Sequence, residues 1–267
     1  MSALIGPAVS LPWVLSVTIA RFRLFPIARW IDDSATNLLR RTAGIAPNSV
    51  VRGPAPGNLT RVSTSLPYAE LFIAENDQAT AARDRAGDLG CAPIGAGAGA
   101  ALAFIAAGIA ARNVVEIGTG TGVSGLHLFD GMVDGGILTS IDIESEHQRA
   151  AKQAFSDAGI APGRARLING RALDVLPRLT DGGYDLVLID GDPREYPQYL
   201  VEAARLLRRG GVVVIAHALH GGRVADPTAR DAETVAVRDA GRSLRDDDQW
   251  TAVLIPLGDG LLAGVKR

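Results

Sequence analysis

Residues 114–125 read VVEIGTGTGVSG: an apolar run meets an acid, Glu116, and glycines follow at 118, 120 and 122. A glycine-rich turn between a strand and a helix lets the backbone approach a nucleotide closely. The dinucleotide fingerprint is G-x-G-x-x-G, with a pyrophosphate set against the helix N-terminus. Here the third glycine arrives one residue early, and Val123 stands where the third fingerprint glycine would be. Glu116, two residues before Gly118, would repel a pyrophosphate. It suits a cation instead, such as a sulfonium that also carries an amino-acid ammonium group.

A second acid, Asp142, ends the apolar stretch GILTSID, 24 residues after Gly118. At the end of a strand next to the glycine turn, a carboxylate can accept hydrogen bonds from both hydroxyls of a ribose. Ribose recognition is common to NAD and S-adenosyl-L-methionine, so Asp142 does not discriminate; Glu116 together with G-x-G-x-G does. The plainer alternative is that both acids are solvated loop carboxylates. Ser124 either caps the helix after the turn or bonds a ligand carboxylate. Further along, YDLVLIDGDP and VVVIAHALH bring Asp190, Asp192, His217 and His220 to strand ends.

These residues need a frame, and the pattern supplies one. Residues 68–88 have helical spacing, and the Ala-rich 97–111 reads as a second helix. Strands are expected at 113–117, 136–143, 165–169, 184–190 and 212–216, with helices at 123–131, 145–158, 174–179 and 196–208 between them. Ser145 reads as an N-cap with Gln148 as its capping-box partner, and Gly210 with Gly211 as the stop of the 196–208 helix. A helix at 230–244 precedes strands at 251–256 and 261–265 around the turn Gly258-Asp259-Gly260, a terminal hairpin. The fold class expected is α/β: a doubly wound, mostly parallel seven-stranded sheet with right-handed crossovers and a C-terminal antiparallel hairpin at or near one edge.

Of the 267 residues 47% are hydrophobic and 21% are charged, an ordinary globular composition with a sizeable core. A net charge of −2 points to neither nucleic acid nor a membrane surface. The single cysteine, Cys91, excludes an intramolecular disulfide and fits a cytoplasmic location. Residues 1–64 carry seven arginines against Asp32 and Asp33, so about +5, and the remainder is correspondingly acidic. The apolar run 3–20 nears the length of a membrane span, but Pro7 and Pro12 interrupt it and no basic segment precedes it. Residues 1–65 are read as a basic extension and a Pro/Gly-rich linker, poorly ordered, and 66–267 as one domain. No zinc-ligand spacing occurs among the four histidines.

VVEIGTGTGVSGLHL, LTSIDIESEHQRAAKQAF, ARLINGRALDVLPRL, YDLVLIDGDP and LLRRGGVVVI, in this order and spacing, resemble the catechol and caffeoyl-CoA type O-methyltransferase family, above all its actinobacterial members. The resemblance covers about residues 66–267. It implies the class I methyltransferase Rossmann-like fold, S-adenosyl-L-methionine as cofactor, and a homodimer. It implies cofactor contacts at Glu116, Gly118, Thr119, Ser124, Asp142 and Ile143. Ile94, in CAPIGAG, falls where the family passes backbone over the methionine moiety. Ala172 and Leu173 fall at the adenine, and Asp190 at the acid that touches metal, substrate or cofactor.

The chain departs from that pattern where the chemistry is done. Metal-dependent members carry a lysine three residues after the strand-four acid, and it helps to deprotonate the acceptor; here Pro193 stands there. Arg194 beside it stays protonated and makes a poor base. The Asp-Asn pair that completes a Mg²⁺ site in such members is His217 and Ala218 here. One carboxylate and one imidazole are a poor magnesium site, so no metal ligand is assigned and a divalent metal is not expected. His217 is the candidate base, since imidazole titrates near the working pH. Otherwise it merely caps strand five. His220 is held in reserve, and Asp190 would orient His217 or the acceptor.

The expected function is S-adenosylmethionine-dependent methyl transfer to a hydroxyl oxygen of a small acceptor. Two other readings stay open: a catalytically degenerate S-adenosylmethionine-binding protein, and an NAD(P)-dependent oxidoreductase. Neither a nucleic-acid partner nor a membrane span is expected.

Overall fold

The computed structural model describes residues 65–267. The extension, linker and apolar-run expectations for 1–64 lie outside the described residues. After a helical turn at 65–70 the elements are α1 (Asp77–Leu89), α2 (Ala96–Gly108), β1 (Asn113–Ile117), α3 (Val123–Gly131), β2 (Ile137–Asp142), α4 (Ser145–Asp157), β3 (Ala165–Asn169), α5 (Ala172–Val175), β4 (Tyr184–Ile189), α6 (Tyr196–Leu206), β5 (Leu207–Ile215), α7 (Ala232–Asp246), β6 (Trp250–Ile255) and β7 (Leu261–Lys266).

The seven strands form one sheet in the order β3-β2-β1-β4-β5-β7-β6. β1 to β5 pair in parallel, and β7 lies antiparallel between β5 and β6. The apolar runs of β1 and β4 follow from this position, because a central parallel strand is covered on both faces. Alternate residues feed two cores. Val114, Leu186, Leu188, Val212 and Val214 pack with α1–α4 through Ala82, Leu102, Leu128 and Phe155. Val115, Ile117, Val187, Ile189 and Val213 pack with α6 and α7 through Tyr196, Leu200, Val237 and Leu244.

Three local readings are corrected. Residues 68–88 are not one helix: the chain turns at 71–76, and α1 starts afresh where the Asn76 side chain accepts from the Ala79 N–H at 2.8 Å. Ser145 is not the N-cap of α4. Glu144 holds that position without a side-chain cap bond, and Gln148 is buried and bonded across the fold instead of to the cap. The helix before β5 ends at Leu206, ahead of the glycines. LLRRGG passes straight into β5, and Gly210, at φ 74°, accommodates a bulge between the pairs Tyr184–Leu207 and Leu186–Val212.

Candidate functional site

Glu116, Asp142, Asp190 and Asp192 lie at the carboxyl ends of β1, β2 and β4, next to the switch in strand order between β1 and β4 where open α/β sheets bind ligands. Two cavities there share Gly118 in their lining. The larger, about 330 Å³, is lined by Ile117, Asp142, Ile143, His147, Gly170, Arg171, Ala172, Glu195 and Tyr199. The smaller, about 30 Å³, is lined by Cys91, Ala92, Pro93, Thr119, Gly120, Ser124 and Asp190. A concavity of about 470 Å³ lies beside α7, with Ala218 in its lining, and another of about 550 Å³ lies beside α4.

Gly118 cannot be another residue. Its φ is 93°, and a Cβ there would stand 2.1 Å from the Asp190 carbonyl oxygen. Its N–H donates to Ile141 O at 2.8 Å, and Asp190 N–H donates to Ile117 O at 2.7 Å. The turn is thereby fixed to both neighbouring strands.

Glu116 is fully buried behind the turn and lines neither cavity. Ser124 Oγ donates to its Oε1 at 2.6 Å, and Ser140 Oγ to its Oε2 at 2.5 Å. Thr119 Oγ1 lies 2.7 Å from Ser140 Oγ, and Gln148 Nε2 donates to Thr119 Oγ1 at 3.1 Å and to Ile168 O at 3.0 Å. Burial pushes the Glu116 carboxyl up to about 7; the two serine bonds oppose this and the Asp142 charge adds to it. Glu116 thus touches Ser124, which lines the smaller cavity, and faces neither cavity itself. Asp142 does face the larger one, with Oδ2 accepting from Gly120 N–H at 2.9 Å and Oδ1 from Glu144 N–H at 2.8 Å.

Of the other residues singled out, Ile143 is exposed and Ala172 lines the larger cavity. Ile94 and Leu173 turn their side chains into the two cores. Asp190 reaches the smaller cavity, and burial, reinforced by Glu116 and Asp142, pushes its carboxyl well above the usual carboxylate range. His217 follows β5 with left-handed backbone at φ 51°. Its Nε2 lies 3.6 Å from Asp190 Oδ1 and has no hydrogen-bond partner, and its Nδ1 lies 3.6 Å from Asp259 Oδ2. His220 lies apart, 3.9 Å from Glu233.

The sequence reading missed Cys91, Arg171, Glu195, Tyr199 and Asp259. Arg171 and Glu195 form a 2.9 Å ion pair, and Tyr199 Oη donates to Glu195 Oε2 at 2.5 Å. The signals that could have found them were the CAPIGAG stretch for Cys91, the NGRALD stretch for Arg171 and the turn glycines around Asp259. Among the described residues no helix is long and apolar enough to cross a membrane.

A family model described as O-methyltransferase matches residues 68–267. A relative from Mycolicibacterium smegmatis, whose name assigns it to the O-methyltransferases, is 55% identical over 199 residues, 74% of this chain and 95% of the relative. A crystal structure of a Corynebacterium glutamicum protein superposes with a TM-score of 0.71 at 35% identity, covering 77% of this chain and 97% of that one. The O-methyltransferase TomG from Streptomyces achromogenes, involved in tomaymycin synthesis and solved in complex with SAM, gives 0.68 at 28% identity, covering 76% and 96%. With that match over the same strands and glycine turn, the dinucleotide reading falls away, and the chain belongs to the O-methyltransferase family.

Proposed function

We propose that this protein transfers a methyl group from S-adenosyl-L-methionine to a hydroxyl oxygen of a small molecule without a divalent metal, and that His217 takes the proton. The observation that carries this reading is the pair of cavities that share Gly118, with the Asp142 carboxylate lining one and Asp190, whose Oδ1 lies 3.6 Å from His217 Nε2, lining the other.

The residues present fit the cofactor. Asp142 would accept from the ribose hydroxyls, Ile143 and Ala172 would flank the adenine, and Gly118, Thr119 and Ser124 would border the methionine end, with the Ile94 backbone nearby. Glu116 is kept as the buried anchor of Ser124. When bound, the cofactor supplies an electrophilic methyl group on a positively charged sulfur. The protein then has to align the acceptor oxygen and remove its proton. The buried, unpartnered Nε2 of His217, 3.6 Å from Asp190 Oδ1, would receive that proton, and Asp190 would orient the acceptor.

A magnesium site is not supported by the donor set: Asp190, His217 and Ala218 offer one carboxylate and one imidazole. Among the described residues His220, Asp231 and Glu233 converge, but Asp231 caps α7 through Thr234 and is paired with Arg223. The reading extends to a cytoplasmic homodimer. The single cysteine suits a reducing compartment, and exposed Tyr68, Leu71, Phe72 and Phe104 offer an apolar surface for self-association.

The test is turnover of a panel of hydroxylated aromatics and polyketides with S-adenosyl-L-methionine, with and without EDTA, read by mass spectrometry. EDTA-resistant turnover that falls by about 10²–10⁴ in His217→Ala is expected, the usual worth of a positioned general base. EDTA-sensitive turnover restored by Mg²⁺ would overturn the metal-free reading. A wild-type rate in His217→Ala would remove the base.

A further inference from the structure

We infer that Asp259, in the turn between β6 and β7, is the positioning residue for His217. It selects the tautomer that carries its proton on Nδ1 and so leaves the Nε2 lone pair facing Asp190, which lines the smaller cavity. The inference rests on the proposed role of His217 as base.

His217 stands between two carboxylates on different elements. Asp190 ends β4 and faces Nε2; Asp259 comes from the terminal hairpin and faces Nδ1, each at 3.6 Å. Such a separation is ion-pair range and longer than a hydrogen bond, so the coupling is electrostatic in the free protein. The imidazole does not reach this place by default. Its backbone is left-handed, which costs a residue with a Cβ about 1–2 kcal/mol. The surroundings must therefore hold it, and the hairpin turn does. Ala218 N–H donates to Gly260 O at 3.0 Å and Leu219 N–H to Asp259 O at 2.8 Å. Gly221 N–H donates to Asp259 Oδ1 at 2.8 Å and to Oδ2 at 3.0 Å. The turn is itself braced from the other side. Glu70 Oε2 accepts from Gly258 N–H at 2.7 Å, and its Oε1 accepts from Gly97 N–H at 3.0 Å.

The chemical consequence is specific. A carboxylate accepts and cannot donate, so Nδ1, which faces Asp259, is best protonated; burial holds the Asp190 carboxyl toward its neutral form, so it makes no such demand on Nε2. With the proton on Nδ1, Nε2 is free to take the acceptor's hydroxyl proton as the oxygen gains the methyl group. The imidazolium so formed has a carboxyl group on either side, and the negative charge of Asp259 stabilises it. A buttress that acts only through packing would do neither.

Asp259→Asn separates the two roles. Gly221 N–H would keep the amide oxygen in the place of Oδ1, and the amide NH₂ would then face Nδ1 and move the ring proton to Nε2. The direct readout is the ¹⁵N spectrum of ring-labelled histidine in the cofactor-free full chain, with His217→Gln assigning the signals. The wild type and Asp259→Glu should show His217 protonated on Nδ1, and Asp259→Asn should show it on Nε2. A wild-type ring protonated on Nε2, or one unchanged in Asp259→Asn, overturns the inference, and the wild-type spectrum decides even if a variant fails to fold. In turnover, Asp259→Asn should lower kcat by about 10- to 100-fold. KM for the acceptor should stay within twofold, and no further loss should occur on the His217→Ala background. An equal loss on that background would show a structural role and also overturn it. A wild-type rate in His217→Ala alone would sink the base reading, which the spectrum leaves separately visible.

Discussion

The ends of β1 and β2, proposed to meet the cofactor, and the ends of β4 and β5, proposed to meet the acceptor, are built differently. At the ends of β1 and β2, every polar atom named has a partner. Glu116 is closed off by Ser124 and Ser140, Thr119 and Gln148 continue the chain of bonds, and both oxygens of Asp142 accept from backbone N–H groups. At the ends of β4 and β5, Asp190 and His217 face each other at 3.6 Å, Nε2 has no partner, and the backbone is strained. The first region is a frame preformed by strand register. The second leaves the proposed base uncommitted, held in place by a loop and a hairpin turn. A shared cofactor asks for the first arrangement, and a proton that has to move asks for the second.

The comparison can be broken hardest at Gly118. Gly118→Ala should destabilise the protein by more than about 3 kcal/mol and abolish S-adenosyl-L-methionine binding, because the added carbon meets the Asp190 carbonyl and the φ is left-handed. Denaturant unfolding and calorimetry check both; a folded variant that binds normally would show that the turn can shift.

Glu116 sharpens the contrast through pH. Its carboxyl rises in the folded protein to about 7, from about 4.5. The unfolded chain therefore releases this proton first. The stabilisation is complete below about 4.5 and is lost as pH rises toward 7. Glu116→Gln stays neutral, so its stability relative to the wild type should improve by on the order of 2–3 kcal/mol between pH 4.5 and 7. Parallel stability profiles for the two proteins would mean that the ionised carboxylate is fully satisfied by its serines.

Asp142→Ala should have the smallest effect, weakening S-adenosyl-L-methionine binding by roughly 1–3 kcal/mol, the scale of unpaired polar groups. Calorimetry with unchanged affinity would place ribose recognition elsewhere.

Much of the frame was legible along the chain. β1 and β4 announce themselves as buried strands, VVEIGTGTG marks the turn after β1, and Asp142 follows one strand later. All of these depend on neighbours within a few residues. Two of the three misreadings share one cause; the break in 68–88 comes from the local cap at Asn76. Gln148 was assigned to a local capping box, yet its amide bonds Thr119 and Ile168 across the sheet. The glycines at 210 and 211 looked like a helix stop, yet pairing with β4 takes them into β5. Local propensity lost to tertiary hydrogen bonding in both.

By itself the sequence determined the alternation of strand and helix, the glycine turn and the acids that end β1, β2 and β4, because periodicity and strand-end position act over short range. Only the tertiary structure decided that Glu116 lies behind the turn, that β7 inserts between β5 and β6, and that this insertion brings Asp259 to His217. Those facts depend on which distant segments pair, and a buried carboxylate or an imidazole takes its chemistry from the groups that folding places against it.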